Sequence, residues 1–576
     1  MCALALLATP RADAVDTRSL LPPERPWHGR SESLIAAADS PWVTPAERSG
    51  FSSTPRYAQT RAWLEALVAA SPLLTLETFG RSAQGRELFY VRASQGGDPK
   101  PVVLAQAGIH AGEIDGKDAG LMLLRDIAVG GKSTLLDQVD FVFVPILNVD
   151  GHEQTGPLIG AALRGPLDAG SNTTPRGINL NRDYTNLETP ETRAIVGLLH
   201  TLDPALYIDL HVSGGLDMQY DITFTYAGWG TYARSRATAD WLQQRYTSVV
   251  SQALDAQGHF PTIYPSLIDE DEPRSGLRYA PEGPRYSTGY GDFLGIPTVL
   301  VENHRLKPYR QRVLGDYVLL EASLKLVAQD AARIAQAKRR DRGARPDTLM
   351  VKWARADAPI GQVQFKGVSY TRGISPVTGK PELVWEGKQQ TWTMPIIGYQ
   401  QTEAVRYPRA WWIQPGNEDI LALLDAHGIA YERVAQPAEL SLERYRILRE
   451  AGPRSVQTDR ITAHPDAGAA RVLSDQPARM LAAAMLEPRS SDSLLADGRF
   501  RNASAPDSGL YGPDEVRFAE RMLASDTTLR EAFEEKLSVD ARFRDDRKAR
   551  LAWIIERSPY AQVRGWRYPV LRELAD

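Results

Sequence analysis

His110 and Glu113 stand three residues apart in Gly108-Ile109-His110-Ala111-Gly112-Glu113. An imidazole nitrogen and a carboxylate oxygen at that spacing can hold one metal ion from a single turn, and zinc accepts this donor mixture. Alone, the motif is short, and a His beside a Glu can equally be a hydrogen-bonded pair. Its position gives it weight. It follows the apolar run Pro101 to Ala107, and in open α/β sheets ligands bind beyond the carboxyl ends of strands.

Two more candidates end apolar runs in the same way. His211 falls late in Tyr207-Ile208-Asp209-Leu210-His211-Val212-Ser213, where a core histidine is the bland alternative to a third metal ligand. Glu302 closes Val299-Leu300-Val301-Glu302, and a carboxylate there is costly unless solvated, paired or at work. An ion pair with Arg305 or Lys307 would account for it. In the catalytic reading it takes a proton from the attacking water and delivers it to the leaving amine. Asn181 and Arg182, in Asn179-Leu180-Asn181-Arg182-Asp183, pair an amide with a planar guanidinium that can grip a carboxylate, or else they form an Asn-rich turn.

The elements that would position these residues can be read from periodicity. The spacing predicts a helix over Tyr57 to Ala70, a hairpin from Leu74 to Phe79 and Glu87 to Ala93, and strands at Val102 to Ala107, Phe141 to Leu147, Leu206 to Val212 and Thr298 to Val301. Helices are expected near Gly116 to Val129, Glu191 to Leu202, Tyr232 to Ala256 and Tyr309 to Lys338. Strand runs that are nearly continuous in apolar residues, with helices between several of them, indicate an α/β fold with a mixed, largely parallel sheet. The basic stretch Lys338 to Pro346 reads as a linker. The expected organisation is therefore an extended arm over 1–50, a catalytic domain over 51–340 and an accessory region over 347–576, β-rich and then helical.

Taken together, the set resembles the zinc metallocarboxypeptidases of the carboxypeptidase A and B type. The resemblance rests on His110-x-x-Glu113, Asn181-Arg182, His211 and Glu302 in that order and rough spacing, and it covers roughly residues 55 to 335. It implies a mixed eight-stranded sheet flanked by helices, and one zinc ion per chain on His110, Glu113 and His211. It also implies Glu302 as general base and Asn181 with Arg182 as the clamp for a terminal carboxylate. Relatives usually carry an Asp where Asn179 stands. For the arginine that polarises the scissile carbonyl, Arg164 has the better separation from Asn181 and Arg176 lies closer to the clamp. For the capping tyrosine, Tyr290 is preferred over Tyr286.

Composition excludes several classes. With 67 basic and 71 acidic residues among 576, the net charge of −4 gives no footprint for nucleic acid or an anionic membrane. One cysteine, Cys2, rules out an intrachain disulfide and a cysteine-type zinc site deep in the chain. No run reaches the ~18–20 apolar residues of a membrane-spanning helix. The start, Ala3 to Ala8 and then Ala12-Asp13-Ala14, resembles a clipped secretory leader, implying a secreted or periplasmic protein; read as a plain tail, it leaves a cytoplasmic one. The leading expectation is an exopeptidase acting on peptides with a free C-terminus. Its competitors are a zinc amidohydrolase acting on N-acyl amino acids or cell-wall peptides, and a non-catalytic binding protein with a structural or absent metal. The acidic run Asp269 to Glu272 could favour basic substrates or be a solvated loop.

Overall fold

The computed structural model describes residues 21–156, 163–435, 439–448, 455–463, 465, 467–500, 512–558 and 565–574. The leader-like start lies outside them. The chain forms two compact units, one of residues 1–344 with 353–402 and one of 345–352 with 403–576. The division is not a single cut near 340–347, because the segment 353–402 packs with the first unit.

Nine strands of the first unit precede that segment: β1 (Leu74–Arg81), β2 (Glu87–Ala93), β3 (Val102–Ala107), β4 (Asp140–Val144), β5 (Leu206–Ser213), β6 (Ile222–Thr225), β7 (Pro261–Ile263), β8 (Leu277–Arg278) and β9 (Thr298–His304). All but β8 build one eight-stranded sheet in the order β1-β2-β4-β3-β5-β9-β6-β7. The centre is parallel: β3 runs parallel to β4 and β5, and β5 parallel to β9. The β1–β2, β2–β4 and β6–β9 pairs are antiparallel, so the sheet is mixed. Every residue of β3, β4 and β5 is buried, the physical reason these runs lack polar alternation.

Helices cover the sheet. The helix Asp115–Ala128 starts two residues after Glu113 and lies close on the strands through two glycines one turn apart. A Cβ on Gly116 would meet the Leu210 side chain at 2.5 Å, and one on Gly120 would meet the Phe143 ring at 2.1 Å. Since the helix begins where the His110–Glu113 turn ends, its seating on the sheet sets the height of that turn. The long helix Tyr309–Gly343 shares the same apolar core, with Val313, Leu314, Tyr317 and Leu320 fully or almost fully buried. The stretch expected as one helix from Tyr232 runs from Arg236 to Ala256, with one π-helical turn at Leu242–Tyr246.

The arm before the first predicted helix is not free. Arg25 pairs with Asp217 at 2.8 Å, Ser31 Oγ bonds His259 Nε2 at 2.9 Å, and Arg125 pairs with the buried Glu47. The second unit holds a six-stranded sheet, ordered Glu432–Arg433, Ala470–Leu473, Ala410–Ile413, Gly565–Glu573, Leu440–Leu448, Ser455–Ala463. Four helices between Pro513 and Ile555 follow the β-rich part, but the chain then returns, and Gly565–Glu573 enters the middle of that sheet.

The glycine contact yields a stability prediction. Gly120→Ala forces a methyl into a rigid ring and is expected to cost about 1–3 kcal/mol, outweighing the helix-propensity gain of about 1 kcal/mol. Gly197→Ala, on the exposed face of helix Pro190–Leu202 with nothing within 4 Å, should instead stabilise. Urea midpoints moving in opposite directions check this, and equal shifts would refute it.

Candidate metal centre

The register of three strands brings the ligand candidates together. Ala107 at the end of β3 is level with Leu210 on β5, so the turn carrying His110 and Glu113 emerges beside His211. His211 in turn is paired across to Glu302 on β9. His110, Glu113 and His211 form a cluster able to hold a metal ion. His110 Nδ1 lies 3.2 Å from Glu113 Oε2 and 3.2 Å from His211 Nδ1, and His211 Nδ1 lies 3.0 Å from Glu113 Oε2. Three donors at bonds of ~2.0–2.1 Å around tetrahedral zinc would be about 3.3 Å apart, so the triangle matches one face of such a site within a few tenths of an ångström.

The surroundings fit a cation as well. Beyond the triangle, His110 Nε2 is 3.0 Å from Asn179 Oδ1, and His211 Nε2 is 2.9 Å from Asp209 Oδ2. Each imidazole thus has an oxygen behind it that keeps the inner nitrogen pointed at the centre, the usual support of a metal-binding histidine. Glu113 is oriented by Asn172 Nδ2 at 2.8 Å and the Val212 amide at 3.2 Å. Asp209 also accepts from Gln106 at 2.9 Å and Ser287 Oγ at 2.5 Å. Asp209, Glu113 and Glu302 place three carboxyls around two histidines, a demand for positive charge that one divalent ion meets.

Electrostatics express the same demand. Burial works against the charged His211 ring, yet Asp209 and Glu113 hold its pKa well above the ordinary value. Burial pushes the Glu302 carboxyl up, with His211 opposing and the neighbouring Glu113 and Asp209 charges adding to the rise. Glu302 Oε2 is buried with no hydrogen-bond partner among the described residues. Such an atom is costly unless something outside the chain answers it.

The clamp candidates join this network from one side. The Asn181 amide donates to Asn179 Oδ1 at 2.9 Å, and Asn181 Oδ1 accepts from the Ser287 amide at 2.8 Å. A continuous path therefore runs Asn181, Ser287, Asp209, His211. Asp183 fixes the loop by accepting from the Glu188 and Thr189 amides and from the Thr189 and Thr192 hydroxyls. Arg182 is exposed, with its guanidinium 4.5 Å over the Tyr286 ring.

Three expectations need correction. Tyr290 is fully buried and packed on Tyr184, its hydroxyl 3.2 Å from His200 Nε2; a phenol so enclosed cannot cap a substrate, and the tyrosine beside the clamp is Tyr286. Arg164 spends its guanidinium on the Pro22 and Leu306 carbonyls and on Glu24, so it braces the chain after β9 instead of facing the centre. Arg176 is exposed in the turn closed by the Thr174 amide and Ile178 carbonyl. Arg278, Arg305 and Arg372 line the cleft beside the centre, and of these Arg305 has its Nε buried without a partner among the described residues. The Arg164 amide bonds the Arg305 carbonyl at 3.0 Å, which explains why Arg164 has suitable spacing without the role. Tyr264, unremarked in the sequence, also lines the cleft, and the Glu302 charge, then burial, raises its pKa.

Residues 60–263 match the Peptidase_M14 family, described as zinc carboxypeptidase. The segment carrying His110, Glu113, Asn181, Arg182 and His211 thus lies within the stretch similar to the zinc carboxypeptidase family; Glu302 lies beyond it. The chain is similar to carboxypeptidase B of Astacus astacus, 30% identical over 103 residues that make up 17% of this chain and 34% of that protein. It is also similar to carboxypeptidase B of Homo sapiens, 28% identical over 103 residues, 16% of this chain and 24% of that one. The matches thus span about a third or less of these relatives. A metallo-carboxypeptidase structure from Burkholderia cenocepacia aligns at 18% identity and a TM-score of 0.36, covering 48% of this chain and 69% of that one.

If Asp209 orients His211 toward the metal, Asp209→Asn should weaken zinc binding about 10–100-fold. Competition with a chromogenic chelator measures this, and an unaltered affinity would remove Asp209 from the site.

Proposed function

We propose that the first unit is a zinc-dependent carboxypeptidase that hydrolyses the C-terminal peptide bond of peptides with a free carboxylate. The observation carrying this reading is the convergence of His110, Glu113 and His211 donor atoms at 3.0–3.2 Å with Glu302 in register beside them. His110, Glu113 and His211 would hold a zinc ion, which would supply Lewis-acid activation there. Glu302, with its pKa raised by burial and unpaired at Oε2, takes the proton of the attacking water and passes it to the leaving amine. Water adds across one amide bond, and the products are a shortened peptide and a free amino acid.

Asn181 and Arg182 hold the terminal carboxylate of the substrate. An amide and a guanidinium on adjacent residues make charge-assisted bonds of the kind that fix register as well as affinity. The polar path from Asn181 through Ser287 and Asp209 to His211 gives the clamp a fixed position relative to the reacting bond, and positioning of that sort lowers the entropic part of the barrier.

Glu302→Gln should keep zinc bound while turnover of a peptide substrate falls about 10²–10⁴-fold. Elemental analysis with single-substrate kinetics checks both halves, and normal turnover at full zinc occupancy would overturn the role of Glu302. Peptides blocked as C-terminal amides should be poor substrates, and chelator should abolish cleavage. Equal hydrolysis of free and amidated peptides would replace this reading with that of an amidohydrolase.

A further inference from the structure

The segment 353–402 carries most of a long hairpin, β10 (Thr348–Ile374) and β11 (Pro381–Arg406), which lies after the family-matched residues. It is built onto the first unit at several points. β11 extends β8 in parallel through Ile396 and Ile397, and Met218 bridges to Gly367. Phe365, Trp392 and Met394 share a buried cluster with Leu216, Met218, Tyr220 and Leu277. The acidic run seen in the sequence is partly consumed here: Glu272 accepts from Tyr370 at 2.5 Å and pairs with Arg372 at 2.8 Å. An exposed pair of this kind contributes about 0.2–1 kcal/mol, whereas each well-buried apolar side chain contributes about 1.5–3 kcal/mol. The apolar cluster therefore seats the hairpin, and the ion pair fixes its register.

Seated in this way, the hairpin forms one wall of a cleft of about 660 Å³. The opposite wall begins at Ser213, two residues after His211, and includes Tyr264 and Arg305. From β11 come Pro381, Glu382, Leu383 and Trp385; Leu383 and Trp385 are alternate residues that a strand directs to one side, with Trp385 edge-on to Tyr370 at 5.4 Å. Neither Asn181 nor Arg182 lines this space. A substrate with its carboxylate at the clamp and its last amide bond at the centre has no further chain on the clamp side. Its remaining residues leave on another side, and this cleft, which starts two residues beyond His211 at Ser213, offers room for them.

We infer that the hairpin is a substrate-recognition arm, and that Leu383 and Trp385 bind the part of a peptide several residues before the scissile bond. This rests on the carboxypeptidase reading and adds a substrate class: peptides long enough to reach the arm, as opposed to dipeptides. The volume suits a few residues and is within the usual range of ligand pockets.

The test compares an N-terminally blocked dipeptide with an N-terminally blocked pentapeptide ending in the same two residues, both with a free C-terminal carboxylate, using the full zinc-loaded chain. The pentapeptide should be favoured at least tenfold in kcat/KM, mainly through KM. Trp385→Ala should reduce that ratio at least fivefold, and Leu383→Ala should move it in the same direction. Trp385→Phe, and Val377→Ser at the exposed hairpin turn, should retain it. A wild-type ratio near one, or a ratio untouched by Trp385→Ala, overturns the inference. If wild type cleaves neither substrate, the carboxypeptidase reading fails, and peptide affinity of zinc-loaded Glu302→Gln still decides the arm. Tighter pentapeptide binding that Trp385→Ala removes supports it, and equal affinity for the two lengths overturns it.

Discussion

The structure depends on one electrostatic constraint: three lone-pair donors, His110 Nδ1, His211 Nδ1 and Glu113 Oε2, are held within hydrogen-bonding distance of one another. Donors of this kind do not gather unaided. The sheet forces them together through register, with β3 ending level with Leu210 and β5 pairing His211 with Glu302. Burial of the central strands makes that register hard to shift, because slipping by one residue would turn every core side chain to the wrong face. The core thus supplies the work of holding these donors in a group that could take a metal ion.

Around that centre the polar residues form one connected system. Asp209 stands behind His211 and is itself held by Gln106 and Ser287; Ser287 holds Asn181, and Asn179 holds His110. Asn179 leaves His110 backed by a neutral oxygen, while the charged partner, Asp209, sits behind His211. The negative charge that tunes the imidazoles is therefore on the β5 side of the centre.

Much of this was legible in the sequence because it is written in local patterns. Unbroken apolar runs gave the central strands to within a few residues, and a polar residue ending each run marked His110, His211 and Glu302. What could not be read has a common physical cause: it depends on contacts between residues far apart in the chain. Tyr290 and Tyr286 differ by one helical turn, and only packing against Tyr184 and His200 decides which is enclosed. Arg164 has the right spacing but is spent on carbonyls near the end of β9, a partner no spacing rule could foresee. Arg305 looked like a counter-ion for Glu302 and instead lines the cleft. The short strands β6 and β7 lack enough residues for a period to show, and the linker-like Lys338 to Pro346 hid the hairpin that follows it and returns to the first unit.

The placement of Gly565–Glu573 has a consequence for how the protein is made. This strand lies between Ala410–Ile413 and Leu440–Leu448, which leave the ribosome more than a hundred residues earlier. The second unit therefore waits with two strand edges open until residues 565–573 are made, whereas the described strands of the first unit, its hairpin included, are already synthesised. Exposed edges of that kind invite pairing with other chains. A nascent chain stalled before residue 565 would carry a first unit with its described strands present and a second with two open edges, so Gly565–Glu573 acts as the clasp that closes them.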